Sequence, residues 1–289
     1  MQRQEIIKSI HGVLVLYRPS PTNVLGNIKT YIDFINHLTI VDNTEPEFNH
    51  HQQLFNSLDN CSYLNNHENK GIATALNQGA HQAILKGASW LLTMDEDSAF
   101  LPDPSKIIQY IESQNCDHLG ILSPFHSVKD KCLIPEQEVQ KKLTVMTSGN
   151  FLNLKAFSDI GPFNEDYFID NVDFEFCLRL KNKGYNVFAI NSCVLEHNLG
   201  DITNHIIFSA EANVTNHSPI RRYYITRNRL HLSFTMFFIF PFYCMNNIYS
   251  LFKENIKILF FEENKLKKIY FSFLGLRDFI LGKKGKLSD

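Results

Sequence analysis

No two of the six cysteines (Cys61, Cys116, Cys132, Cys177, Cys193 and Cys244) form a C-x-x-C pair. Their scatter argues against a zinc knuckle and a disulfide framework, and it fits a reducing cytosol. An excess of one charge is also missing. The net charge of −2 gives no electrostatic case for nucleic acid as a partner. The opening residues, Met1-Gln2-Arg3-Gln4-Glu5, hold no apolar signal segment, so the protein is expected to stay on the side where it is made. The most apolar run, residues 232–245, contains Pro241 and falls short of the ~20 residues that cross a bilayer. A Walker loop and a G-x-G-x-x-G fingerprint are both lacking, which leaves NTP hydrolysis and dinucleotide binding unsupported. A hydrophobic content of 44% over 289 residues is enough for one sizeable core plus an appendage, or for two small domains.

What is present is an alternation of strand and helix patterns. Residues 10–17 read as a buried strand, and Leu25, Ile28, Tyr31, Ile32 and Ile35 recur at helical spacing. Residues 38–41 read as a second strand, closing on Asp42-Asn43-Thr44. A helix is expected over 48–58, a strand over 61–64, an amphipathic helix over 71–86 and a strand over 90–94. This order predicts βαβ units in a mostly parallel sheet with helices on its faces. Asp42 and Asp95 then end two strands on one sheet edge, near a topological switch point, where such sheets bind ligands.

The fourth strand runs straight into Asp95-Glu96-Asp97. Two aspartates one residue apart suit a hard divalent cation that also holds phosphate oxygens; a solvated acidic turn has the same composition. Gly71 opens a helix that includes Asn77, and a small residue there allows close approach to a diphosphate or simply a tight turn. Further on come Ser148-Gly149-Asn150 and a stretch with carboxylates at Asp170, Asp173 and Glu175. Asp170 reads as a helix cap. Asp173 lies between apolar neighbours, a setting that lifts a carboxylate toward a base's working range. Residues 186–190 and 194–197 read as two strands, the second ending in His197, either a structural histidine or a metal ligand.

In this order the motifs resemble the family 2 glycosyltransferases of the GT-A fold, closest to their rhamnosyltransferase-like branch. The resemblance runs from about residue 8 to about residue 230 and includes Phe168 through Arg179 and Arg221 through Asn228. It implies a catalytic domain over 1–230 and a helical segment over 231–289. It also implies that Asp42 contacts the base or ribose, that Asp95 lies near the ribose, and that Asp97 and His197 hold Mg²⁺ or Mn²⁺. Tyr17, Asn43, Gly71, Asn77, Gly149 and Asn150 are candidate nucleotide-sugar contacts. Asp173 is the candidate general base. Asp170, Arg222, Arg227 and Asn228 are candidates for holding phosphate or acceptor. Many relatives carry tryptophan where this chain has Phe176.

The implied reaction is inverting transfer of a sugar, with L-rhamnose on dTDP as the first choice. The implied acceptor is a polyprenyl-diphosphate-linked glycan of O-antigen or capsule assembly. A UDP-sugar donor (galactofuranose, galactose or an N-acetylated hexose) keeps the same chemistry. A nucleotidyltransferase is disfavoured because Tyr17-Arg18-Pro19-Ser20-Pro21 replaces a glycine-rich basic loop, and a non-catalytic sugar- or lipid-binding module has no need of Asp97, Asp173 and His197 together. After residue 231, aromatic residues alternate with Lys253, Lys257, Lys265, Lys267 and Lys268. That pattern suits a segment lying on the cytoplasmic face of the inner membrane, and a homodimer stays open.

Overall fold

Short apolar runs become strands here because a sheet covered on both faces buries successive side chains and needs no polar alternation. The computed structural model describes residues 3–49, 51–114, 116–127, 134–197, 203–207 and 210–287; for 21, 22, 197, 203–207 and 210–214 it describes the backbone alone. Helix α1 (Arg3–Lys8) leads into β1 (Ile10–Leu16), which is buried at every position. There follow α2 (Pro21–Ile28), β2 (His37–Asp42), β3 (Cys61–Asn65), α3 (Ile72–Leu85) and β4 (Trp90–Asp95). Next come β5 (Ser98–Leu101), α4 (Ser105–Ser113), β6 (Leu119–Ser127), β7 (Val139–Lys142), β8 (Asn150–Asn153) and α5 (Leu154–Ile160). Helix α6 (Val172–Asn182) and β9 (Asn186–His197) precede a hairpin, β10 (Thr203–Ile207) and β11 (Ala210–Val214). Three helices close the chain: α7 (Pro219–Met236), α8 (Pro241–Phe261) and α9 (Lys265–Ile280).

The chain forms two compact units, residues 1–164 with 176–198, and residues 165–175 with 199–289. In the first unit the strand order is β3-β2-β1-β4-β8-β6-β9-β5, with β7 on β9. Strands β3, β2, β1 and β4 are parallel, and β8 runs antiparallel between β4 and β6. The chain leaves β1 for β2 and β3 on one side and returns to β4 on the other. That reversal is the switch point. Register puts Leu16 beside Asp42 and Val15 beside Asp95, so the two acids flank the end of β1. Helix α3 lies close on β1 because position 79 is glycine; a Cβ there would sit 2.2 Å from Val13 Cγ2. Leu14, Leu16, Tyr31, Phe100, Ile107 and Leu122 belong to the main core of this unit.

The expected helix around 25–35 stops at Ile28. Thr30 Oγ1 donates to the Asn27 carbonyl (2.7 Å) and accepts from the Phe100 N–H (3.1 Å), so the backbone turns away from helix. Ile32 continues in a 3₁₀ turn, Ile32–Phe34. The expected helix at 48–58 is two 3₁₀ turns, Pro46–Phe48 and Gln52–Phe55. Its asparagines and histidines are poor helix formers, and in those two turns only Phe55 is buried. Residues 186–190 and 194–197 belong to one strand, β9, whose pairing with β6 jumps from Ile190 to Val194 between Pro124 and Phe125. Proline has no N–H for the ladder, and the irregularity falls where it sits.

In the second unit, α7 carries buried residues through Leu232, Ser233 and Met236. The expected boundary at 230/231 therefore falls inside a helix that packing holds together. Arg222, Glu262 and Lys268 form a buried ion cluster (Arg222 Nη2 to Glu262 Oε1, 2.5 Å; Lys268 Nζ to Glu262 Oε2, 2.7 Å), extended by Glu254 and Arg229. Apolar side chains crowd the outside of these helices, and Phe238 is 94% exposed and Phe242 86%. Among the described residues no helix is long and apolar enough to cross a membrane.

A histidine pair, His11 buried and His37 half-buried, links this fold to pH. Burial, with the neighbouring His37 and then Lys86, pushes His11 down to about 4, and the His11 and His37 rings lie 5.6 Å apart. The folded protein keeps His11 neutral while the unfolded chain protonates it below about 6.5. Stability is therefore complete above pH 6.5 and falls as the pH drops toward 4, by at most about 3 kcal/mol. Urea unfolding of wild type and His11→Gln at pH 7 and pH 5 is expected to show a smaller acid loss in the variant.

Candidate active site

Three acids gather where β4 ends. Asp95 is the last residue of β4, and its N–H donates to Ser148 Oγ (3.1 Å). Glu96 and Asp97 make the turn into β5. The Glu96 carboxylate accepts the Tyr17 N–H (2.9 Å), and its carbonyl accepts from Asn27 Nδ2 (2.8 Å). Asp97 Oδ1 accepts from Ser98 Oγ (3.4 Å). Burial, reinforced by Asp97, Asp95 and Asp42 and opposed by the Tyr17 N–H, pushes Glu96 up to about 7. Negative charge is thus crowded at this edge. The backbone of His197 pairs with Ser98, one residue beyond Asp97; the His197 side chain lies outside the described residues.

Asp42 is wholly buried, and its carboxylate accepts three bonds: from the Thr44 N–H (2.8 Å), Asn49 Nδ2 (3.1 Å) and the Tyr63 hydroxyl (2.5 Å). Beside it Asn43 Nδ2 donates to the Gly71 carbonyl (3.0 Å), and its Oδ1 accepts from Asn66 (2.8 Å). Asn43 therefore ties the β2 end to the start of α3. Tyr17, just past β1, donates through its hydroxyl to Glu45 (3.1 Å). Arg18 stands at φ 53°, pairs with Glu45 (3.0 Å) and lies over the Phe48 ring at 4.0 Å. Arg18, Glu45 and Phe48 form a rim that no sequence motif announced. An arginine in left-handed backbone is visible only once the turn is built.

Ser148-Gly149-Asn150 serves β4 from within. Gly149 N–H donates to the Thr93 carbonyl (2.7 Å), Asn150 Nδ2 to the Met146 carbonyl (2.6 Å), and His126 Nε2–H to the Ser148 carbonyl (2.8 Å). Gly149 has φ 78°, and a Cβ there would lie 2.7 Å from Pro124 and 2.9 Å from Leu195. Asn77 is buried on α3, and both ends of its amide bond to the Phe163 backbone (3.0 and 2.8 Å). As placed, Asn77 and Asn150 spend those groups on the chain itself.

The second unit holds the other carboxylates. Asp173 lies half-buried in the first turn of α6, its Oδ1 accepting the Phe174 N–H (2.9 Å). Ahead of it Phe168, Asp170 and Asn171 all have left-handed backbone, with φ of 61°, 63° and 65°, each costing on the order of 1–3 kcal/mol. The Asp170 carboxylate is paired through two Arg221 nitrogens (Nη2 at 3.0 Å, Nε at 3.2 Å), which corrects the expected capping role. Burial raises the Asp170 carboxyl above its ordinary range, opposed by Arg221.

Three expected phosphate-holding residues have other work. Asn228 Nδ2 donates to the carbonyls of Tyr167 (2.8 Å), Ile169 (2.7 Å) and Asp170 (3.0 Å). Arg227, buried, reaches the carbonyls of Gly285 (2.7 Å), Asp166 (3.2 Å) and Tyr167 (3.4 Å), the Tyr223 hydroxyl and Asn228 Oδ1. Arg222 belongs to the buried ion cluster. Guanidinium donors spent on buried carbonyls and carboxylates are not available to a ligand phosphate without leaving those acceptors bare. Arg221, the neighbour of Arg222, keeps its side chain solvent-accessible.

The comparisons agree with this architecture. Residues 39–154 match the Glycosyl transferase family 2 model. Over 239 residues, 76% of this chain and 78% of the relative, the chain is 28% identical to "dTDP-rhamnosyl transferase RfbF" of Shigella flexneri. It is similar in structure to residues 1–349 of S. aureus TarS, with a TM-score of 0.60 at 14% identity, covering 94% of this chain and 80% of that one. GalNAc-T7, solved with UDP, GalNAc and Mn²⁺, gives 0.55 at 11% identity over 77% of this chain and 48% of that one. The chain is a glycosyltransferase of GT-A fold, carrying a family 2 domain and rhamnosyltransferase-like in sequence.

Gly149 offers a test of how tightly the acidic edge is built. Gly149→Ala is expected to cost more than about 2 kcal/mol, since left-handed strain adds to overpacking. Gly87→Ala, at φ 75° with open space around it, is expected to cost about 1 kcal/mol. Chemical denaturation of the two variants measures the difference.

Proposed function

We propose that this glycosyltransferase transfers L-rhamnose from dTDP-rhamnose, with inversion, to a lipid-linked glycan acceptor at a membrane surface. The donor rests on the likeness to the dTDP-rhamnosyl transferase. The observation that carries the chemistry is the crowding of Asp95, Glu96 and Asp97 at the switch point, where β4 turns into β5.

That crowding also supports a divalent cation. Among the described residues there is no group of three or more histidine, cysteine or acid side chains arranged for a metal. Mg²⁺ needs fewer, because it is usually held by one or two carboxylates plus substrate phosphates and water. The oxygen donors of Asp97 and Asp95 fit Mg²⁺ or Mn²⁺, with His197 as the further candidate. When bound, the cation supplies neutralisation of the charge that builds on the departing diphosphate.

Asp173 takes the proton of the acceptor hydroxyl. The acceptor oxygen forms its bond to the anomeric carbon as the bond from that carbon to the diphosphate oxygen breaks. A single displacement inverts the centre, and no second carboxylate is required as a nucleophile. Tyr17, exposed just past the end of β1, lines the nucleotide end in this reading, while buried Asp42 and Asn43 fix the end of β2.

A membrane acceptor accounts for the last three helices. Residues 231–289 hold nine lysines and arginines against five acids, although the whole chain carries 28 against 30. Exposed Phe242, Phe252 and Phe273 stand on α8 and α9 and exposed Phe238 on the turn between α7 and α8, and an apolar groove of about 440 Å³ runs between α7, α8 and α9, lined by Leu230, Leu251, Leu259, Ile269 and others. Basic and aromatic groups together suit an anionic lipid surface on its cytoplasmic side.

Calorimetric titration with dTDP, UDP and GDP, each with and without Mn²⁺, tests the donor site. Metal-dependent binding of dTDP at least tenfold tighter than the others is expected, and Asp97→Asn is expected to abolish the metal dependence. A preference for UDP overturns the donor assignment, and no binding by folded protein overturns the site. Sedimentation with phosphatidylglycerol and phosphatidylcholine vesicles tests the surface. Binding to the anionic vesicles is expected to fall tenfold or more in the double variant Phe238→Asp, Phe242→Asp; equal binding by variant and wild type overturns the membrane reading.

A further inference from the structure

The turn that leads into Asp173 does not hold its shape by local preference. Three residues in four, none of them glycine, occupy left-handed backbone there, a conformation that persists only where surroundings over-determine it. The surroundings are two adjacent residues of α7. The Asn228 amide has two protons and meets three carbonyls, those of Tyr167, Ile169 and Asp170, all within 3.0 Å. Arg227 fills the remaining side, bonding the carbonyls of Asp166 and Tyr167 while its Nε donates to Asn228 Oδ1 and so fixes which way that amide faces. Phe168 stacks on Tyr224 at 5.1 Å, closing the turn with an apolar contact. Helix α6 begins where this turn ends, with the Glu175 N–H bonding the Asn171 carbonyl at 3.0 Å. The direction in which α6 starts, and with it the Asp173 carboxylate, is set by the turn.

We propose that Asn228, oriented by Arg227, is a positioning residue for Asp173: it clamps the left-handed turn 168–171 so that the carboxylate is held ready to accept the acceptor's proton. This rests on the reading of Asp173 as the base. Neither residue touches substrate in this account. Their polar groups are consumed by the turn, and a small misplacement of a reacting group costs about 10²-fold in rate.

The test uses the full chain and Asn228→Asp, which keeps the size of the side chain but replaces its donor with an oxygen facing carbonyl oxygens. The expected result is a fall in kcat of about 10²-fold, with donor KM and the calorimetric Kd for dTDP within twofold of wild type. Adding Asn171→Gly, which takes up φ 65° without a Cβ, is expected to restore the thermal midpoint and leave kcat low. A kcat within threefold of wild type in Asn228→Asp overturns the proposal. So does recovery of kcat in step with the thermal midpoint, because the clamp would then be structural only. Should Asn228→Asp not fold, Arg227→Lys, which loses the fork that reaches the turn, is read by the same split between kcat and KM. Asp173→Asn separates the two readings. If it keeps its turnover, the base assignment itself fails; if it loses turnover while Asn228→Asp does not, the clamp alone fails.

Discussion

Parallel pairing of β1 with β2 on one side and β4 on the other is the constraint from which the acidic edge follows. In a parallel ladder neighbouring strands end at the same level, so Asp42 and Asp95 come to flank the end of β1. The reversal of strand order there opens the crevice. Antiparallel β8 then lies against β4, and Ser148 just ahead of it accepts the Asp95 N–H. Gly79, pressed on Val13, lets α3 approach β1 closely. Register, rather than any one side chain, brings the acids together.

Carboxylates at that edge are treated in two ways. Asp42 is withdrawn from solvent and satisfied by three donors of its own chain, so it stiffens the β2 end. Asp95, Glu96 and Asp97 are only half-buried and crowd one another, and Glu96 is raised chiefly by burial, with its acidic neighbours adding to the rise.

The second unit manages polar groups in the opposite sense. Arg222, Glu262 and Lys268 bury charge in a mutually paired cluster, and breaking one member would strand the others. Arg227 and Asn228 are enclosed, and their donors go to backbone carbonyls of a strained turn. The apolar side chains that a soluble helix normally hides lie outside instead, on α7, α8 and α9.

Much of this could be read directly from residue order. Apolar runs at 10–17, 38–41, 61–64 and 90–94 are strands because continuous apolar character of that length bounded by polar residues suits a doubly covered sheet. The acids at the ends of two of them, and the alternation that makes the sheet parallel there, are local features. The helices expected at 25–35 and 48–58 do not form in full because Thr30 bonds the Asn27 carbonyl and Asn49 Oδ1 accepts the His51 N–H, and a spacing rule does not see side chain-to-backbone competition. The destination of polar donors was beyond local reading as well. Arg221 and Arg222 are adjacent and chemically equal, yet about 100° of helical rotation turns one toward Asp170 and the other into the buried cluster. By itself the sequence determined the first four strands and which of them finish in acids, because those depend on a residue's nearest neighbours. Only the tertiary structure decided whether Asn77, Asn150, Arg222, Arg227 and Asn228 face a ligand or their own chain, because a hydrogen bond's partner is chosen by packing across residues far apart in sequence.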